Sequence, residues 1–72
     1  MYAILSLAPY LKALGSTADE ALELLQSTTT DVASPEDRNA CLRACRESRE
    51  SRHATAVPFR FCGYHYFAQY IR

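Results

Sequence analysis

A chain of 72 residues with 49% hydrophobic and 22% charged side chains is too apolar for wholesale disorder. It is also too short for both a core and a deep pocket, since a chain near this size buries only about 60% of the surface its unfolded form exposes. A formal net charge of zero excludes a global electrostatic pull towards nucleic acid or an anionic membrane, and no apolar run approaches the ~20 residues needed to span a bilayer. One small domain covering 1–72 is expected.

The opening stretch, MYAILSLAPYLKALGS, has the hydrophobicity of a secretion signal but no basic leader, and Pro9 and Lys12 interrupt its apolar run. Three cysteines, an odd count, fit a reducing cytoplasm better than an oxidising compartment. Tyr2 to Leu5 reads as a short strand or as the lead-in to a helix. Ser6 is placed to cap a first helix with Pro9 in its first turn and Gly15 as its C′ residue. Thr17 and Glu20 then stand at capping-box spacing ahead of Ala21, Leu22, Leu24 and Leu25, predicting a second helix through about Gln26. The polar run STTTDVAS, residues 27–34, is a linker. Ser34-Pro35-Glu36-Asp37 opens a third helix reaching near Arg52, with serine as cap, proline at the first helical position and two acids at the positive end of the dipole.

The third helix has a narrow stripe of small residues, Cys41, Ala44, Cys45 and Ser48, at i, i+3, i+4 and i+7. Small side chains imply close approach to whatever covers them. Its last turns, RESRESR over 46–52, carry no apolar face, and the Arg43/Glu47 and Arg46/Glu50 pairs contribute only about 0.2–0.5 kcal/mol each at i, i+4. Beyond it, Phe59-Arg60-Phe61 alternates and Cys62-Gly63 fits a two-residue turn, so 56–70 reads as an aromatic β-hairpin with Pro58 on an edge strand. A competing reading takes Gly63 as a break before a short helix bearing Tyr64, Phe67 and Ile71 on one face. The fold class expected is therefore α+β, two to three helices with a C-terminal aromatic hairpin, and the alternative is an all-α bundle.

Four constellations carry possible chemistry. Cys41-x3-Cys45 with Cys62-x2-His65 supplies the ligand set of a Cys3His zinc site, although zinc sites usually pair two short knuckles and buried free cysteines explain the residues more simply. A Cys41–Cys45 disulfide does not suit two side chains on one helix face. Arg43, Arg46, Arg49 and Arg52, with His53 and Arg60, could track a phosphate backbone, but a step of three wraps them around the helix and Glu47 and Glu50 sit among them. Catalysis finds no support: the only glycines are Gly15 and Gly63, no hydrolase or metalloprotease signature occurs, and a Cys62–His65 pair would lack an oxyanion hole and an orienting group.

Charge is segregated along the chain. Lys12 is the one base up to Asp37, against Asp19, Glu20, Glu23, Asp31, Glu36 and Asp37, whereas from Arg38 onward seven arginines face only Glu47 and Glu50. Either the halves neutralise one another within the fold, or they present two surfaces for oriented docking. Arginine and tyrosine are enriched in interface hot spots and both concentrate in the second half. The expectation is thus a small non-enzymatic protein-binding module, cytoplasmic and without cofactor, an inhibitor or adaptor of the kind phages and mobile elements encode. Its larger protein partner would meet Arg43, Arg46, Arg49, Arg52, Arg60, Tyr64, Tyr66 and Tyr70. The alternatives are a nucleic-acid-binding module using the arginine-rich helix 43–52, or a zinc-stabilised module.

Overall fold

Two antiparallel strand pairs flank two helices in chain order. They are β1 (Tyr2–Leu7) and β2 (Tyr10–Gly15), α1 (Ala18–Thr28) and α2 (Pro35–Glu50), then β3 (Val57–Phe61) and β4 (Tyr64–Tyr70). The computed structural model describes residues 1–7, 10–53 and 55–72. The four strands form one sheet in the order β2-β1-β4-β3, every neighbouring pair antiparallel. The fold class is α+β, and the all-α alternative falls.

The helix expected between Ser6 and Gly15 does not exist. Ser6 lies inside β1 and Gly15 ends β2, while Pro9, expected in that helix's first turn, lies outside the described residues. The reason is tertiary. A short apolar run suits either state, and here β1 is held on both sides, Ile4 opposite Ala13 on β2 and Ala68 on β4, so ladder pairing and burial override the helix propensity of Leu, Ala and Lys. Gly15 is required for proximity, not for capping: a Cβ there would stand 2.7 Å from the Ala21 amide nitrogen.

Strand alternation gives the sheet two unlike faces. Tyr2, Ile4, Ala13, Phe59, Phe61, Tyr66 and Ala68 share one face and one core with Ala21 and Leu25 of α1 and Cys41, Ala44 and Cys45 of α2. Both helices therefore cover the same side. The small-residue stripe expected on α2 is buried in full, Ser48 included, and the Ser48 hydroxyl donates to the Cys45 carbonyl at 2.7 Å. Aromatic rings from the sheet fill the space above it: Phe59 stacks on Tyr66 with centroids 5.7 Å apart, and Phe61 meets Tyr66 edge-on at 6.2 Å. On α1, Leu25 is buried but Leu24 stands 39% exposed.

Helix ends follow the capping signals with one change of partner. Thr17 Oγ1 accepts from the Glu20 amide at 3.1 Å, but the Glu20 carboxylate reaches back past Thr17 to accept from the Ser16 amide at 2.8 Å and from the Ser16 hydroxyl. That hydroxyl, then the amide, holds the Glu20 carboxyl below the usual carboxylate range. Ser34 Oγ caps α2 by accepting from the Asp37 amide at 3.2 Å. At the other end of α2 the Arg72 guanidinium donates to the carbonyls of Arg49 and Ser51, both at 3.3 Å.

The aromatic hairpin forms as expected. Cys62 at φ 50° and Gly63 at φ 81° are both left-handed, the backbone of a type I′ turn, and the Cys62 amide donates to Asp37 Oδ2 at 3.4 Å, tying the turn to the start of α2. The sheet's two outer strands are protected unequally. β3 carries Pro58, whose ring occupies an outward-facing amide position, whereas β2 has no proline within Tyr10–Gly15 and one charge, Lys12.

Urea denaturation checks this packing. Leu25→Ala should cost about 2–5 kcal/mol, and Gly15→Ala about 1–3 kcal/mol because α1 must be displaced. Leu24→Ala should change stability by less than about 1 kcal/mol.

Candidate binding surfaces

The arginines and tyrosines picked out by the sequence do not form one surface. Arg43, Arg46 and Arg49 lie exposed on the outer side of α2, and Arg52 lies exposed just beyond its end. Arg46 and Arg49 line a cleft of about 510 Å³ with Tyr2, Ala18 and Glu50. Arg49 is held there, its guanidinium 5.9 Å above the Tyr70 ring, and Tyr70 in turn meets Tyr2 edge-on at 5.0 Å. Tyr70 thus supports an arginine instead of standing free. Arg43 faces a separate depression with Asn39, Leu42 and Arg46. Among the described residues no arginine closes an ion pair with a carboxylate. The Arg43/Glu47 and Arg46/Glu50 pairs therefore stay open, and the charged halves do not neutralise one another through direct contacts.

Two expected partner-binding tyrosines part company. Tyr64 is 43% exposed beside the hairpin turn, whereas Tyr66 is 5% exposed between Phe59 and Phe61. Tyr66 is a core residue, because two steps along β4 from Tyr64 its side chain stands where α2 covers the sheet. Burial is the first cause pushing its phenol above the ordinary range.

The Cys3His set is likewise not brought together. Cys41 and Cys45 point from α2 into the core, Cys62 sits in the hairpin turn and His65 is exposed. His65 pairs with Arg60 in the β3–β4 register and so falls, by alternation, on the side of the sheet away from α2. Among the described residues no group of three or more His, Cys, Asp or Glu could hold a metal ion. The Cys41 thiol, hydrogen-bonded to Cys45 and desolvated, is pushed far above the ordinary thiol range. Cys62, half-buried with its thiol 3.9 Å from the Asp31 carbonyl, is also raised, mainly by burial.

The face of the sheet away from the helices carries what the sequence reading missed. Registers place Leu14, Ala3 and Gln69 in one row across the strands, Lys12, Leu5, Phe67 and Pro58 in the next, and Leu7 opposite Tyr10 and near His65 and Arg60 in a third. Leu7 is 67% and Leu14 48% exposed, while Leu5 and Phe67, paired in one row, are half-buried. Ala3 is 2% exposed. The charged residues of this face are Lys12 and Arg60, with the titratable His65 beside Arg60. No Asp or Glu occurs at any of its strand positions. The residues that could have revealed it were the two apolar runs on either side of Ala8-Pro9, at hairpin spacing.

No known protein family matches the chain, and neither does any curated protein or solved structure. Among the described residues no helix is long and apolar enough to cross a membrane.

Thiol titration checks the cysteine placement. With Ellman's reagent the native protein should expose one fast thiol, lost in Cys62→Ser, and the other two, both 0% exposed in the core, should react only as fast as the domain opens, since reactivity needs access as well as a thiolate. Three fast thiols would place α2's stripe at the surface.

Proposed function

We propose that this chain is a protein-binding module without catalytic activity, an inhibitor or adaptor that works by covering a surface on a larger protein. The open face of the sheet carries this reading. Four strands at about 4.8 Å spacing and three rows at about 6.6 Å give the whole face, with Lys12, Arg60, His65 and Gln69 included, roughly 400 Å², and exposed apolar side chains grouped on one face of a monomer are often functional. Leu7 and Leu14 have no role in the core, so their exposure gains the free monomer nothing. Burying them against a partner contributes about 25 cal/mol for each Å² removed from water. An interface of this size lies at the transient end of the range. Three free cysteines accord with a reducing cytoplasm.

The arginines of α2 support a nucleic-acid reading less well. Glu47 and Glu50 interleave with them, and Arg49 is engaged with Tyr70. The two surfaces lie on different sides of the molecule, so substitutions can separate them.

Affinity purification of the parent chain and two variants makes that separation. Leu7→Ser with Leu14→Ser replaces exposed side chains, leaves melting within about 0.5 kcal/mol of the parent and should abolish retention of the protein partner. Arg46→Ala, Arg49→Ala and Arg52→Ala together should retain it. A chain that instead binds DNA or RNA, with the arginine variant losing about three units of log-log salt slope, would establish the nucleic-acid reading.

A further inference from the structure

We propose that the open face of the sheet is a docking site for an amphipathic helix that carries carboxylates on both flanks of its apolar stripe and belongs to the partner protein. This rests on the protein-binding reading of the same face and names its occupant.

Charge complementarity leads the argument. Lys12 sits on edge strand β2 and Arg60 on edge strand β3, with Leu5 and Phe67 on the two strands between them. Basic groups therefore stand on both sides of an apolar strip, and no acid occurs at the strand positions of the face to neutralise them. The edges are about 14 Å apart at ordinary strand spacing, and a helix with its side chains is about 10–12 Å across. A helix seated on Leu5 and Phe67 brings its flanking positions over Lys12 on one side and over Arg60 on the other. Apolar residues at i, i+3, i+4 and i+7 would meet Leu5, Phe67, Leu14 and Leu7, as in helix-in-groove recognition. Such a helix also completes the layering of the fold, since α1 and α2 already cover the opposite face in this way.

The same charges argue against a second copy of this chain. Stacking two such faces places β2 either over its own counterpart, setting Lys12 against Lys12, or over the other copy's β3, setting Lys12 against Arg60. Each arrangement juxtaposes like charges with no carboxylate on either face, which disfavours association. Single-stranded nucleic acid is the other rival. It needs successive aromatic platforms for its bases, and in the central row of this face Phe67 stands between Leu5 and Pro58. Binding by β-strand addition would use an edge of the sheet and leave the leucines exposed.

Two synthetic helical peptides test the occupant. They share one leucine stripe, flanked in the first by glutamates and in the second by lysines, and are titrated into the ¹⁵N-labelled full chain. The glutamate peptide should bind saturably at micromolar to sub-millimolar concentration, shift the amides of Leu5, Leu14 and Phe67, and bind at least tenfold more tightly than the lysine peptide. In the double variant K12E/R60E, whose two positions are exposed and whose fold is checked by its amide spectrum, the preference should reverse. Equal binding of both peptides, shifts confined to α2, or no binding up to about 1 mM overturns the assignment. So does sedimentation of the parent as a dimer that Leu14→Asp dissociates, which makes a second copy the occupant. A single-stranded RNA that displaces the glutamate peptide from these amides overturns it in favour of nucleic acid. A partner still lost on Leu7→Ser with Leu14→Ser while the peptides fail to discriminate leaves the protein-binding reading standing without the acidic helix. A partner retained by that variant removes the face itself.

Discussion

The pairing of β1 with β4 is the contact on which the rest of the domain depends. It sets Tyr2 beside Tyr70 and Ile4 beside Ala68, joining two strand pairs that would each be marginal alone. With it, the sheet is wide enough for two helices to cover one side. Without it, α1 packs on the first hairpin and α2 on the aromatic one, and the contact between the two helices is the remaining link. The cost is entropic: nearly the whole chain must be closed into a loop before this ladder forms, and such non-local pairing slows folding more than it limits stability.

Close packing between α2 and the sheet is the second constraint. Cys41, Ala44, Cys45 and Ser48 are small enough for the helix backbone to approach, and the bulk of the core comes from Phe59, Phe61 and Tyr66 on the other side. The cysteines behave as small hydrophobes. The stripe is therefore a packing surface, with Cys41 and Cys45 shut off from solvent.

Legibility from sequence followed how local each signal was. Thr17 with Glu20 and Ser34 with Pro35 announce both helices because a cap is decided within four residues. Cys62-Gly63 announces the second hairpin for the same reason. The first hairpin was lost because YAILSL and YLKALG have no alternation of polar and apolar residues: their non-helix face holds leucines too, so the period-2 signal is erased. That one ambiguity also hid the candidate site, whose leucines and lysine all lie on β1 and β2. Tyr66 was misplaced for a related reason, since in YHYFAQY composition alone does not tell which parity faces α2. The absence of an apolar face from RESRESR is legible in the sequence, but which of the arginines share a surface depends on β4 and Tyr2 arriving from opposite ends of the chain.

The unequal edges of the sheet set a valence. β3's outer rim offers few donors because Pro58 occupies one of its outward positions, while β2's rim runs its six residues with a lysine as its sole guard. A molecule with one receptive rim can add a single strand laterally and is then saturated. Lateral growth through that rim closes at a pair, where a domain with two such rims would propagate it.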